Sequence, residues 1–180
     1  MPNNQNIYAE ITNIAEELMR QGKTLAVAES CTGGYIAHLI TSISGSSAYF
    51  KGGVVAYSNE IKQRILQVQA TTLESQGAVS RQTVEEMASN LLNLFDADYA
   101  VAVSGIAGPG GGSVEKPVGT VWIAIASGEK RIVSTCFSFG GDRNLIIQQT
   151  AAAAFGMLLK VATLDPFISL SYNLKIKSER

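Results

Sequence analysis

The sequence predicts an α/β protein, a three-layer α/β/α sandwich around a mixed, mainly parallel sheet that includes an antiparallel hairpin. Three observations carry that prediction. Short apolar runs alternate with amphipathic helical segments, the pattern of strands linked by helices lying on both faces of a sheet. The run Tyr99 to Val103 is continuously apolar, as a strand covered on both faces should be. Ser127-Gly128-Glu129-Lys130 separates the apolar stretches Thr120 to Ala126 and Ile132 to Phe139, a hairpin signal that requires at least one strand antiparallel to its neighbour.

From the N-terminus, Ile7, Ile11, Ile14, Ala15 and Leu18 recur at helical spacing through Gln21, and Gly22 ends that helix. A short strand, Thr24 to Ala28, follows. Cys31 to Ile43 reads as the next helix, Ser44-Gly45-Ser46-Ser47 as loop, Gly53 to Tyr57 as a second strand and Asn59 to Leu66 as a short helix. Ser80 caps a longer helix whose apolar face is Val84, Met87, Ala88, Leu91 and Leu92 and which ends near Phe95. The Tyr99 strand breaks at Ser104-Gly105-Ile106-Ala107-Gly108-Pro109-Gly110-Gly111-Gly112, too glycine-rich for a core element. Asp142 caps a final helix through Ala162. Residues 1–162 are expected to form one domain and 163–180 a C-terminal extension. There Ile168, Leu170, Tyr172, Leu174 and Ile176 alternate, as in an added strand or a subunit contact.

A chain of 180 residues, 46% of them hydrophobic and 16% charged, buries a core without help from disulfides or metals. Its longest apolar runs, such as Val118 to Ala126, fall short of the roughly 18 residues of a membrane span, and no basic-then-apolar leader opens the chain. A cytoplasmic protein with no membrane partner is expected. Cys31 and Cys136 lack CxxC spacing and are expected as free thiols. A net charge of −1 without a basic cluster gives nucleic acid little to hold. With His38 the only histidine, a multi-histidine zinc site is excluded, and neither metal nor cofactor is expected.

The junction Ala28-Glu29-Ser30-Cys31-Thr32-Gly33-Gly34 concentrates the chemistry. Two glycines in a first helical turn cost about 1 kcal/mol each relative to alanine, which close approach of a ligand to the backbone would explain. N–H groups at a helix start suit an anion, so Thr32, Gly33 and Gly34 are candidates for a phosphate. Ser30 is either an N-cap or a nucleophile. As a nucleophile it needs a base, and His38, eight residues on in one helix, is about 12 Å away along the axis. The better base is Lys62 in Tyr57-Ser58-Asn59-Glu60-Ile61-Lys62: with Ser58 or Asn59 as cap, the lysine is expected in the helix's first turn, where a cation faces the wrong end of the dipole. Partial burial would lower its pKa further; otherwise it is a solvated surface lysine. Tyr57, at the strand end, is a third catalytic candidate, placed to steady that amine or to relay a proton. Cys31, the rival nucleophile, reads as a packing residue. Ser104 and Gly105 open a substrate-binding loop that fits no nucleotide-triphosphate fingerprint, and Arg143 either reaches a phosphate or is a surface charge.

Five separated segments, in order, resemble the C-terminal domain of the CinA family: Ala28 to Gly34, Val55 to Lys62, Gly77-Ala78-Val79-Ser80, Ser104 to Pro109, and Lys116-Pro117-Val118-Gly119-Thr120-Val121. The similarity runs from about Ile7 to Ala162. The family takes its name from competence and DNA-damage induction. The resemblance implies a nicotinamide-nucleotide amidohydrolase that converts nicotinamide mononucleotide to nicotinate mononucleotide and ammonia in pyridine nucleotide salvage. It also implies a serine/lysine mechanism with Ser30 as nucleophile and Lys62 as base, and a homodimer. Many members carry an N-terminal molybdopterin-binding-like domain, absent here, so the activity of that domain is not expected. Gly110-Gly111-Gly112 stands where an acidic residue often follows, and the tail after Ala162 lies outside the family pattern. The readings in other classes are a non-catalytic module that binds a pyridine nucleotide or a DNA-repair partner, and a serine amidohydrolase of another amide.

Overall fold

The computed structural model describes residues 4–128 and 131–163. The hairpin turn residues 129–130 and the predicted extension beyond Thr163 lie outside them. In chain order the elements are α1 (Asn4–Gln21), β1 (Leu25–Glu29), α2 (Tyr35–Thr41), β2 (Phe50–Val55), α3 (Asn59–Arg64), α4 (Ala70–Gln76), α5 (Arg81–Phe95), β3 (Tyr99–Gly105), β4 (Thr120–Ser127), β5 (Arg131–Ser138) and α6 (Arg143–Thr163). The sheet has five strands in the order β2-β1-β3-β4-β5. β1 pairs in parallel with β2 and β3, while β4 runs antiparallel to both β3 and β5. Only β4 is reversed, so the sheet is mixed and the predicted hairpin is β4–β5.

Strand alternation builds two cores. Leu25 and Val27 of β1, Val101 and Val103 of β3, and Val121, Ile123 and Ile125 of β4 enter one core with α1, α2 and α6. The opposite face presents Ala26, Ala28, Ala100, Ala102, Ala124 and Ala126, against which Val84, Met87 and Leu91 of α5 pack. Methyl-sized side chains let one helix lie close across the central strands. Helices therefore cover both faces, giving the three layers that the sequence predicts.

α6 is 21 residues long and apolar enough by composition to cross a bilayer, a length that no single apolar run in the sequence shows. In this fold Ile146, Ala151, Ala154, Phe155 and Leu158 of that helix are buried against the sheet and α1. α4 was not foreseen. Its segment, ATTLESQ, has no side-chain cap and buries only Leu73, so neither capping nor periodicity marks it.

The largest departure is at the start of α2, which begins at Tyr35 and not at Cys31. Residues 31–34 form turns, with Gly33 N–H donating to Ser30 C=O and Tyr35 N–H to Thr32 C=O. Gly34, at φ 101°, is the N-cap, a left-handed conformation that a side chain would strain. The cap is supplied from the strand. The buried Glu29 carboxylate accepts from Gly34 N–H at 3.0 Å, Ile36 N–H at 3.1 Å and Ala37 N–H at 2.8 Å. Of the donors expected to be open to a substrate anion, Gly34 N–H is taken by this carboxylate and Gly33 N–H by Ser30 C=O; a carboxylate at a helix start is favoured by both hydrogen bonding and the dipole. Ser30 is thereby left at the strand end with no capping duty.

This arrangement predicts that Glu29→Ala lowers unfolding stability by about 2–4 kcal/mol, since buried N–H groups lose their acceptor. Urea denaturation measures it. Glu29→Gln, which keeps one acceptor oxygen, should lose less; equal stability of all three proteins would show that the carboxylate does not hold the turn.

Candidate active site

The parallel strands β1, β2 and β3 end together, with Glu29 level with both Val55 and Val103. The chain leaves β1 for β2 on one side and later returns to β3 on the other, which opens a crevice beyond their carboxyl ends. Ser30 follows β1, Ala56 and Tyr57 follow β2, and Ser104 and Gly105 close β3. All of these except Ala56 line a cavity of about 200 Å³, together with Lys62 and Arg143.

Ser58 caps α3 by accepting from Ile61 N–H. Lys62 falls in the last turn of that six-residue helix and not in the first as expected, because the helix is so short, and its side chain runs inward to 1% exposure. Its Nζ donates to Ala56 C=O at 2.7 Å and to Ser30 Oγ at 3.0 Å. Among the described residues no carboxylate pairs with it. Burial without a counter-ion disfavours the ammonium and pulls the amine down from 10.5 to about 8. A solvated Lys62 is excluded by its burial, and a capping Ser30 by Gly34 standing as the N-cap of α2. Ser30 itself is 8% exposed, and its N–H is fixed to Val103 C=O at 3.1 Å.

The neighbouring thiol of Cys31 is pushed up to about 12 by burial and stays protonated. It is a packing residue with a face on the cavity, as read from sequence. Both cysteines are free thiols. His38 is exposed on α2, away from the serine.

Tyr57 does not steady the lysine. It is 62% exposed, and its hydroxyl accepts from Arg143 Nη2 at 3.0 Å. The backbone carbonyl of Ala56 fills the place expected for the phenol, because Tyr57, one residue later, projects outward from the strand end. Arg143 comes from the start of α6, where the Asp142 carboxylate accepts from Leu145 N–H as the predicted cap. Its second anchor is Gly108 C=O, reached by Nη1 at 2.8 Å. A guanidinium has five N–H donors, so these two bonds leave others for a ligand at the cavity mouth. Ser104 is almost fully buried and donates to Ala78 C=O at 2.8 Å, forming wall and not lip.

Thr32, Gly33 and Gly34 are not brought to this cavity. They line a separate, more open depression with Tyr35, His38 and Asn144. Conversely, Asn59, Ala78, Val79 and Ala107 line the cavity; they lie within the segments that carry the family resemblance, but the sequence assigns them no site role. Asn59 was legible as the residue following the Ser58 cap. The other three are small apolar side chains that carry no chemical signal.

Comparison with known proteins identifies the family and the fold. A model of the CinA C-terminal domain matches residues 8–162. The nicotinamide-nucleotide amidohydrolase PncC of Escherichia coli K12 is 48% identical over 145 residues, 81% of this chain and 88% of that protein. A CinA-like protein of Cytophaga hutchinsonii is also 48% identical over 145 residues, but the chain spans only 34% of that relative's length. The crystal structure of the competence/damage inducible protein CihA from Agrobacterium tumefaciens superposes with a TM-score of 0.84 at 42% identity, covering 86% of this chain and 94% of that one. A CinA superfamily protein from Klebsiella pneumoniae 700603 gives 0.83 at 37% identity, covering 87% and 97%. On sequence and on fold, the chain belongs to the CinA C-terminal domain family.

Proposed function

We propose that this chain hydrolyses the carboxamide of nicotinamide mononucleotide to nicotinate mononucleotide and ammonia, with Ser30 as nucleophile and Lys62 as general base. The observation that carries the reading is the buried hydrogen bond between Lys62 Nζ and Ser30 Oγ, at 3.0 Å, in a cavity of a size for a small planar ring. The names of the PncC relatives supply the substrate.

In this mechanism neutral Lys62 takes the Ser30 proton as Oγ bonds to the amide carbon. The main-chain N–H of Cys31, the one residue of the turn after Ser30 that lines the cavity, holds the oxyanion. The ammonium of Lys62 then returns the proton to the amide nitrogen, the C–N bond breaks and ammonia leaves an acyl-enzyme. Water enters, loses a proton to the same amine and attacks the ester; Ser30 recovers its proton as the carboxylate leaves. Arg143, held by Tyr57 and Gly108, takes the 5'-phosphate at the mouth, and Ser104 and Gly105 form the wall beside the ring. The substrate is a small molecule, and the chemistry calls for no cofactor.

Two outcomes are expected. Ser30→Ala and Lys62→Met should each lower ammonia release by at least about 10³-fold while nicotinate mononucleotide still binds, as measured by coupled ammonia assay and calorimetry. Binding by the wild-type protein with no ammonia released would make it a nucleotide-binding module instead. The second concerns pH. Because the base is the neutral amine and its pKa is about 8, kcat/KM should rise about ten-fold per unit below pH 8 and level off above it. A profile flat from pH 6 to 9 would remove Lys62 from the role of base.

A further inference from the structure

The segment Lys116-Pro117-Val118-Gly119 contributes nothing to the reaction as written, yet it is tied into the cavity wall. The chain between β3 and β4 is a closed loop. Ile106 N–H donates to Thr120 C=O and Gly119 N–H to Ile106 C=O at its base, and Ser113 N–H donates to Lys116 C=O at its tip. Ser113 Oγ accepts from Lys116 N–H in return. The loop is also packed on itself. A Cβ on Gly108 would lie 2.6 Å from Val118 Cγ1, and one on Gly112 would lie 2.8 Å from Val118 N. A loop closed and filled in this way is held together by its own contacts.

Two side-chain hydrogen bonds fasten that loop to its surroundings among the described residues. On one side Arg143 donates to Gly108 C=O. On the other, Lys116 Nζ donates to Gln76 C=O at 2.8 Å, the last carbonyl of α4. A cation on a helix's terminal carbonyl is favoured by charge as well as by hydrogen bonding. Gln76 leads directly into Ala78 and Val79, which form the cavity wall facing Ala107 of the loop. Lys116 therefore spans the two walls from outside, while Ser104 joins them within through Ala78 C=O.

We infer that Lys116 is a positioning residue that sets the separation of the Ala78–Val79 wall from the loop carrying Ala107 and Gly108, and through Gly108 the placement of Arg143. This inference rests on the proposed amidohydrolase reading. It also separates binding from chemistry. Ser30 and Lys62 are held by Val103 C=O of β3 and by Ala56 C=O just after β2, while the Lys116 side chain bonds to Gln76 C=O. Loosening the loop weakens contacts made equally in the ground and transition states, which raises KM and spares kcat.

The test compares wild type, Lys116→Met and Lys116→Arg by steady-state hydrolysis of nicotinamide mononucleotide, thermal unfolding and amide hydrogen exchange. Lys116→Met should raise KM about five-fold or more with kcat within about two-fold and Tm nearly unchanged. Amides within 106–119 should exchange at least about five-fold faster, and those of β1 and β3 should not change. Lys116→Arg, which keeps a donor for the Gln76 carbonyl, should restore both. Unchanged exchange in the loop, or kcat and Tm falling together, would overturn the inference. Exchange needs no substrate: faster loop exchange in a protein that releases no ammonia even as wild type would support the tether and reject the amidohydrolase reading alone.

Discussion

A lysine amine enclosed with one hydroxyl and one main-chain carbonyl, and among the described residues no carboxylate to neutralise it, is the constraint around which the rest of this structure is arranged. Taking an ammonium out of water without a counter-charge is costly, and the protein meets that cost by letting the amine approach neutrality near pH 8. A paired carboxylate would hold the charge and remove the basicity. Cys31, the nearest ionisable neighbour that touches the cavity, stays a neutral thiol and so adds no anion. What would be a defect in an ordinary core becomes a basic nitrogen aimed at a serine oxygen.

Holding that pair requires three strand ends to converge, and the sheet supplies this. β1 lies between β2 and β3, so the residue after β1 meets the carbonyl after β2 and the backbone of β3. The alanine face beneath α5 keeps that side of the sheet closely covered, while Glu29 spends its carboxylate on the start of α2 and leaves the serine hydroxyl to the lysine. Arg143 reaches the same opening from the other end of the chain, with its donors partly fixed by Tyr57 and Gly108. The site has the serine–lysine pair on one face and one cation at its mouth, the division on which the proposed reading rests.

The strands, the three layers and the serine/lysine pair were legible because each breaks or obeys a local rule within a few residues. Lys62 stood out as a cation near the wrong end of a capped helix, and Ser30 as a hydroxyl where an apolar strand stops at glycines. Less local features were not legible. Glu29 reads as one more polar residue until the chain folds back to place three N–H groups on its carboxylate, and that fold-back is also why Thr32, Gly33 and Gly34 face a different depression. Tyr57 was assigned to the lysine on proximity in sequence, whereas a strand end turns adjacent residues to opposite sides: Ala56 inward and Tyr57 to the rim. Ala78, Val79 and Ala107 acquire meaning only from the cavity they enclose.

The account stands on the state of one nitrogen. Carbon-13 labelling of the lysine side chains and an NMR titration of their Cε resonances, with Lys62→Met to assign the signal, reads that state without reference to any substrate. A titration midpoint for Lys62 near 8, moving when Ser30 is replaced by alanine, is the predicted result. A midpoint at the ordinary lysine value of about 10.4 would mean that the amine is solvated or paired, and the nucleophile would be left without its base.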